Sequence, residues 1–332
     1  MNTTMEADST TQENSLKDSD DNISLPFTCD AGDLALYKEF VKDKGKRNYE
    51  IQLVEKLQSL GLIPSQIPCP TNGENCNVVC KPARVIDRIQ WVCEGCSKRQ
   101  PIRTGSFFFK MQCSLLQALQ IILAWCEDSE LEPAAQYFDV KLRVANQIYD
   151  KLDELAIEEL RKTKLGGEGA VVLTEMYPDC LNRLSPDTTD APNMLQVLMI
   201  ADTKHIPTHY RLHVITSNLK KTNSEQSFQA LKAEIERVLA ETTIPNSMLV
   251  SGTHLPPVDG MVPLQHLLQQ CDADMQHFLS SRIWRQAARL CGAARAGGGA
   301  AQRYVDAALH RLRHTPHYFV ELLPILAARG RC

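Results

Sequence analysis

The chain has 332 residues, of which 43% are hydrophobic and 23% charged, with a formal net charge of −4. This length predicts two or three domains with real hydrophobic cores. No apolar run is long enough for a membrane helix, and the amino terminus lacks the layout of a secretion signal. We therefore expect an intracellular protein with no membrane partner, whose cysteines are reduced or bound to metal.

Charge is distributed unevenly along the chain. Residues 1–30 carry seven acidic side chains and one lysine, a net charge of −6, and have almost nothing to bury, so we expect a disordered acidic tail. Residues 81–110 carry seven basic and two acidic side chains, a net charge of +5. Residues 281–332 carry nine arginines and two acids, a net charge of +7. We interpret the first basic segment as a candidate nucleic-acid surface and the second as a solvated face.

Two short helices are predicted after the acidic segment. Apolar residues recur at helical spacing over 33–41 and again over 49–60, and Gly61 is placed to end the second helix. These helices lead directly into a cysteine-rich stretch.

Five of the twelve cysteines lie within residues 69–109. Cys93 and Cys96 form a C-x-x-C motif, which is typical of one half of a tetrahedral zinc site. The other two ligands come from among Cys69, Cys76 and Cys80. We favour Cys69 with Cys76, because residues 77–82 then form the strand that leaves the turn, and keep Cys80 as the alternative ligand. Apolar residues between Cys80 and Cys93 suit the hairpin of a zinc ribbon. Free, buried cysteines are the less favoured interpretation.

Three helices are predicted after the ribbon, at about 115–125, 134–138 and 143–164. A short turn at residues 139–140 before the third helix is typical of a helix-turn-helix, although an ordinary helical bundle has the same periodicity. The third helix is acidic along most of its length. Only its start, residues 141–147, is suited to lie in a DNA groove.

A glycine cluster at 166–169 marks the next domain boundary. The elements predicted beyond it are a strand at 170–174, a loop at 178–194, a hairpin of 195–201 and 209–216, a helix at 224–240, a strand at 248–250 and a helix at 262–270. Strand, hairpin, helix, strand and helix follow in the order expected of a ribonuclease-H-like core. Two more helices, 304–313 and 318–328, complete the pattern.

The predicted fold class is therefore α+β and multidomain. Its parts are a disordered acidic tail (1–30), N-terminal helices (31–66), a zinc ribbon (67–110), a helix-turn-helix-like domain (111–165), a ribonuclease-H-like α/β domain (166–280) and C-terminal helices (281–332).

The sequence WVCEGC at 91–96 followed by IRTGSFF at 102–108 resembles Merlin-type transposases, eukaryotic relatives of a bacterial insertion-sequence family. The resemblance covers roughly residues 33–328 and is specific over 69–175. It implies a ribonuclease-H-like catalytic domain, whose acidic triad would bind two divalent metals, Mg²⁺ or Mn²⁺, for strand cleavage and transfer.

The acidic positions that the resemblance implies are largely missing. Glu175 stands at the first position and Gly252 at the second, and residues 280–284 offer no acid or asparagine for the third. One carboxylate cannot hold two metals, so the resemblance implies a domesticated or decayed transposase without strand-transfer activity. Activity would require a replacement carboxylate from Asp202 or Asp259.

The leading functional hypothesis is a nuclear, zinc-containing protein that binds double-stranded DNA. Its phosphate contacts would come from Arg84, Arg88, Lys98, Arg99 and Arg103. One alternative is an active cut-and-paste transposase with two divalent metals and Glu175 as a catalytic ligand. Another is a protein-interaction scaffold with purely structural zinc, whose partners bind the acidic tail. A second copy of the chain is a further candidate partner.

Overall fold

The computed structural model describes residues 24–71, 73, 75–181, 194–202, 209–215, 224–252, 255–268, 299–314 and 316–330. Helices and two β-sheets are both present, so the prediction of an α+β protein is confirmed. None of the helices in these ranges is both long and apolar enough to cross a membrane.

The helices that the structure describes are α1 (Ala31–Val41), α2 (Tyr49–Ser59), α3 (Leu115–Cys126), α4 (Leu131–Tyr137), α5 (Leu142–Lys162), α6 (Ser224–Thr242), α7 (Leu264–Leu268), α8 (Gly299–Arg313) and α9 (Tyr318–Arg329). Helix α3 is the central one, since eleven of its twelve residues are buried. Ser114 and Gln117 form a capping box at its amino terminus, which satisfies two backbone donors. Helices α1, α2, α4, α5 and α9 surround α3 and share one hydrophobic core with it.

Helix α9 joins this helical body although it follows all the other described helices in sequence. Both oxygens of the buried Asp33 carboxylate accept from backbone donors at the start of α9, from Phe319 N at 2.9 Å and from Val320 N at 3.1 Å. A carboxylate at a helix amino terminus is favoured by the helix dipole. Asp33 of α1 therefore holds α9 in place.

Residues 24–30 also pack on the helical body, which corrects the predicted tail boundary at residue 30. Leu25, Phe27 and Cys29 lie against the core, and the Phe27 ring meets the Phe138 ring edge-on at 6.3 Å. These apolar side chains distinguish the segment from the polar sequence before it. Residues 1–23, on which the rest of the predicted tail falls, lie outside the described residues.

The first sheet has three antiparallel strands, β1 (Val78–Pro82), β2 (Ile89–Cys93) and β3 (Arg99–Pro101), in sequence order. Alternate residues of β2 are buried, as expected for a strand with one face on a core. The indole of Trp91 is 2% exposed and donates to the carbonyl of Ile102 at 3.1 Å. The inner face of this sheet thus packs against the helical body through Ile89 and Trp91.

The second sheet has five strands, β4 (Val171–Leu181), β5 (Met194–Asp202), β6 (Tyr210–Val214), β7 (Met248–Ser251) and β8 (Val262–Pro263). Their order is β6-β5-β4-β7-β8. Strands β4, β5 and β6 pair antiparallel, whereas β7 runs parallel to β4 and β8 parallel to β7. Apolar residues of α8 pack on one face of the sheet and those of α6 on the other.

Three of the differences between the structure and the predicted elements concern β4, β8 and α8. Strand β4 continues to Leu181, so residues 178–181 of the predicted loop are strand, while 182–193 lie outside the described residues. The predicted helix at 262–270 begins two residues later, because Val262 and Pro263 form β8. Helix α8 begins at Gly299, five residues before the predicted start at 304.

Candidate metal centre

Four cysteines converge at one end of the three-stranded sheet. They are Cys69, Cys76, Cys93 and Cys96, and their sulfur atoms all lie within 4.8 Å of one another. Cys69 Sγ and Cys96 Sγ are 3.4 Å apart. Tetrahedral zinc, with Zn–S bonds of about 2.3 Å, separates its sulfurs by roughly 3.8 Å. The group can therefore hold a metal ion such as zinc, and the four residues are those favoured from the sequence.

Two tight turns bring the cysteines together. Ser97 N donates to Cys93 O at 2.8 Å, and Cys93 N donates to Lys98 O at 2.8 Å, which folds the C-x-x-C motif back on itself. Cys76 N donates to Gly73 O at 3.0 Å in the other turn. Because five residues of β1 pair with five of β2, the two turns are held side by side.

Gly95 is required where the two turns touch, and the sequence analysis did not single it out. A Cβ at this position would lie 2.0 Å from the carbonyl oxygen of Asn75 and 3.2 Å from Cys76 Cα. These are backbone atoms that cannot move aside without opening the cysteine group. A glycine between the paired cysteines is the only sequence signal for this close approach.

Thr71 is a second residue that the sequence analysis missed. Its Oγ1 lies 2.9 Å from Cys69 Sγ and 3.1 Å from Cys96 Sγ. Hydrogen bonds with Thr71 lower the pKa of Cys69 to about 6 and also lower the pKa of Cys96. A hydrogen bond with Cys69 raises the pKa of Cys76 to about 11. The site thus favours the thiolate form, which is the metal-binding form, at two of its four sulfurs.

Cys80 is not part of the group. It lies in the middle of β1, opposite Trp91, and its side chain is exposed, away from the two turns. The alternative in which Cys80 completes the site is therefore not the one that the structure forms.

A second cluster of ligand-type atoms, from Asp30, Asp33 and His317, also lies within 4.8 Å. Helix capping accounts for its geometry. Asp30 accepts from Gly32 N at 2.8 Å and contacts His317 Nδ1 at 2.5 Å, and Asp33 binds the start of α9. We interpret this cluster as a structural junction between α1 and α9.

Four of the five predicted DNA-contacting residues are exposed, and they divide between two ends of the three-stranded sheet. Lys98 and Arg99 follow the C-x-x-C turn at the metal end, whereas Arg84 and Arg88 lie on the loop joining β1 to β2. The length of β2 separates these ends by roughly 13 Å. The single basic patch read from the sequence is therefore two patches.

Arg103, the fifth predicted contact, is corrected by the structure. Its side chain is 5% exposed and forms a two-pronged ion pair with Asp87, Nε to Oδ2 at 2.7 Å and Nη2 to Oδ1 at 2.5 Å. Its Nη1 donates to Met111 O at 3.1 Å. All three directions of the guanidinium are used inside the protein, so Arg103 holds the β1–β2 loop to the segment before α3 and does not face a phosphate.

Glu175 lies buried in the middle of β4, directly beside Gly252. Thr174 pairs with Ser251 in the parallel ladder of β4 and β7, and Gly252 N donates to Thr174 O at 2.7 Å. A Cβ at Gly252 would lie 2.0 Å from Glu175 Oε2. The carboxylate therefore occupies the space into which a side chain at position 252 would extend.

The two replacement carboxylates weighed from the sequence do not join Glu175. Asp202 lies on β5 and pairs with Val172 of β4, so their side chains share one face of the sheet. Because side chains alternate between faces along a strand, Glu175 lies on the opposite face. Asp202 Oδ2 accepts from Gly166 N at 3.0 Å. Asp259 is exposed and forms an ion pair with Lys232 at 2.8 Å. Residues 280–284, where the third acidic position was sought, lie outside the described residues.

Comparison of the chain with models of protein families, with curated proteins and with solved structures finds no match. The functional argument therefore depends on the residues and distances given above.

Proposed function

We propose that this protein is a nuclear DNA-binding protein derived from a Merlin-type transposase, with a zinc ribbon and without strand-transfer activity. Residues 67–110 would be the ribbon, with structural Zn²⁺ on the four cysteines. A set of four thiolates is typical of closed structural zinc sites, which keep no open position for a substrate. Zinc would therefore stabilise the DNA-binding surface and take no part in chemistry.

The observation that carries the proposal is the set of exposed cations on the ribbon. Arg84, Arg88, Lys98 and Arg99 are exposed, and none of them forms an ion pair with another residue in the described ranges. The two acids of the segment are already paired, Asp87 with Arg103 and Glu94 with Lys81. The ribbon thus presents positive charge that the protein itself does not neutralise, which favours phosphate contact.

The strand order supports a ribonuclease-H-like origin for residues 166–280. The resemblance calls for a strand, a hairpin and a helix, then a strand beside the first and a further helix. Strand β4, the β5–β6 hairpin, α6, β7 and α7 provide these in order, with β4 and β7 adjacent and parallel. Residues 115–162 likewise provide three helices with a short turn before the third, as a helix-turn-helix would require.

The contact between Glu175 and Gly252 supports the loss of catalysis. In the resembled transposases, the first two acidic residues belong at these positions, where adjacent parallel strands can present two carboxylates to the same ions. Here one of the two positions has no side chain, and the remaining carboxylate fills its space. Two divalent metals need carboxylates from both sides, so the site cannot hold the pair.

The salt dependence of DNA retention tests the binding function. Each phosphate contact contributes about −0.9 to the slope of log K against log salt, so two to four contacts predict a slope of about −1.8 to −3.6. In the variant that has alanine at Arg84, Arg88, Lys98 and Arg99, this slope should be shallower by about 1.8 or more. A charge-matched control removes four exposed cations elsewhere, at Lys38, Arg161, Lys162 and Lys164, and should keep the wild-type slope.

DNA retention by the wild type that does not change with salt concentration would contradict DNA binding. Bound zinc together with a flat response would instead favour the scaffold hypothesis, in which the metal is purely structural.

The loss of catalysis predicts no metal-dependent nicking. Supercoiled DNA incubated with the protein and Mg²⁺ or Mn²⁺ should be nicked no faster than with the Glu175→Ala variant, because neither protein holds a metal pair. Nicking by the wild type that disappears in Glu175→Ala would contradict the prediction and favour the active transposase.

A further inference from the structure

We infer that the phosphate backbone of duplex DNA lies in a basic cleft between the α1–α2 turn and the β1–β2 loop. This inference rests on the proposed DNA-binding function and assigns the place of contact. We call the cleft the tip cleft. Its walls are residues 44–51 on one side and residues 82–83 and 86–88 on the other, and its floor is the start of α3 at 114–116.

The tip cleft is large enough for a strand of nucleic acid backbone. Its volume is about 650 Å³, and it is open to solvent along the protein surface. The buried ion pair of Arg103 and Asp87 fixes one wall from behind. On the other wall, the Tyr49 hydroxyl donates to Phe40 O at 2.8 Å and so ties the start of α2 to α1. The two walls are therefore held in place before any ligand arrives.

Of the six charged residues that line the tip cleft, four are cations. Lys44, Arg47 and Arg88 line it with exposed side chains, and none of them pairs with an acid among the residues that the structure describes. Lys46 also lines it and pairs only with Asp43, in an exposed contact of the kind that contributes little. Of its two acids, Asp87 is neutralised by Arg103, which leaves Glu50.

Three cations of the tip cleft, Lys44, Lys46 and Arg47, come from the turn between α1 and α2. They lie about 40 residues before Arg88 in sequence, and the packing of α2 against α3 and the ribbon brings them together. The metal end of the ribbon is less suitable, because it offers two exposed cations outside ion pairs in the described ranges, Lys98 and Arg99, whereas the tip cleft offers three.

Exposed apolar side chains beside the cations favour DNA over a free anion as the ligand of the tip cleft. Val85 and Ile86, at the tip of the β1–β2 loop, are 42% and 57% exposed, and Ile86 lines the cleft. A phosphate ion offers only charge and hydrogen bonds, whereas a duplex also presents sugar and base surfaces in its grooves. A two-stranded β-ribbon is narrow enough to approach such a groove.

The backbone at Arg88 allows a test of the side chain that does not damage the fold. Arg88 has φ of +58°, in the left-handed region that glycine adopts most easily. Arg88→Gly therefore removes the charge and relieves backbone strain together. We expect its thermal midpoint to stay level or rise while DNA binding weakens.

The experiment measures fluorescence anisotropy of a labelled duplex over a range of salt concentrations, with the full-length zinc-loaded protein. Lys44→Ala/Arg47→Ala should flatten the log–log slope by about 1.8, and Arg88→Gly by about 0.9. The comparison variant Lys98→Ala/Arg99→Ala removes the same charge from the metal end and should flatten the slope by less than Lys44→Ala/Arg47→Ala does. Millimolar inorganic phosphate at constant ionic strength should not displace the duplex.

The outcomes separate the inference from the function on which it rests. No salt-dependent binding by the wild type would remove the proposed function itself. Normal wild-type binding with a larger loss in the Lys98/Arg99 variant than in the Lys44/Arg47 variant would overturn the tip cleft alone. Displacement by inorganic phosphate would also overturn it, because the cleft would then be an anion site and not a DNA surface.

Discussion

Replacing Cys93 and Cys96 together with serine is expected to remove the bound metal and open the metal end of the ribbon. Structural zinc sites contribute about 10–16 kcal/mol of apparent binding free energy, which here would hold the two cysteine-bearing turns together. The ribbon's own buried side chains, such as Trp91, lie toward the helical body and not between the turns. Metal analysis should find no zinc, and amides of β1 should exchange much faster with solvent.

The control is Cys80→Ser, which removes a thiol from β1 of the same sheet. Its side chain is exposed and outside the cysteine group, so zinc content and amide protection should match the wild type. Equal zinc in the wild type and in the double serine variant would show that the four cysteines do not form the metal site.

Replacing Arg103 with alanine is expected to destabilise the protein by about 3–5 kcal/mol, because it leaves Asp87 charged and buried without its partner. The loss should appear as a lower midpoint in urea denaturation. DNA affinity should fall as well, since the ion pair fixes one wall of the tip cleft. An arginine that contacted phosphate directly would instead affect binding and leave stability almost unchanged.

Two further variants make this distinction sharp. Arg103→Met/Asp87→Leu removes both charges and fills similar space, so it should recover most of the stability lost in Arg103→Ala. Arg99→Ala removes an exposed arginine from the same sheet and should change stability by about 0.5 kcal/mol or less. If Arg103→Ala is as stable as Arg99→Ala, the buried ion pair does not form in solution.

The cysteine group was within reach of the sequence, while the placement of the basic residues was not. Paired cysteines at short spacing, with apolar residues between the pairs, leave few ways to build a four-ligand site. The formal charge of a residue places no such constraint on where its side chain lies. Whether an arginine is exposed depends on a partner such as Asp87, 16 residues away, and on the packing behind it. Arg103 and Arg99 therefore look alike in sequence and have opposite environments.

In the five-stranded sheet of residues 171–263, the longer strands were predicted from local patterns, whereas the contacts between distant residues were not. Apolar runs located β5, β6 and β7 to within two residues, because each strand is long enough to show a pattern. Strand β8 is two residues long and adjoins a helix, so it has no pattern of its own. The proximity of Glu175 and Gly252 depends on the register of two parallel strands more than 70 residues apart, which local sequence does not determine.

The hydrogen bonds from α9 to Asp33 also bear on the order in which the protein is made and folded. They join residues 286 positions apart, and the helix they anchor covers the central core. At about 5–20 residues per second, the ribosome needs roughly 15–60 seconds to reach Phe319 after Asp33 has emerged. During that time α1 and α3 lack one neighbour, and their apolar side chains stay open to water. The helical body is thus completed only after α9 has been made, and a chain truncated before α9 would expose an apolar surface suited to capture by chaperones.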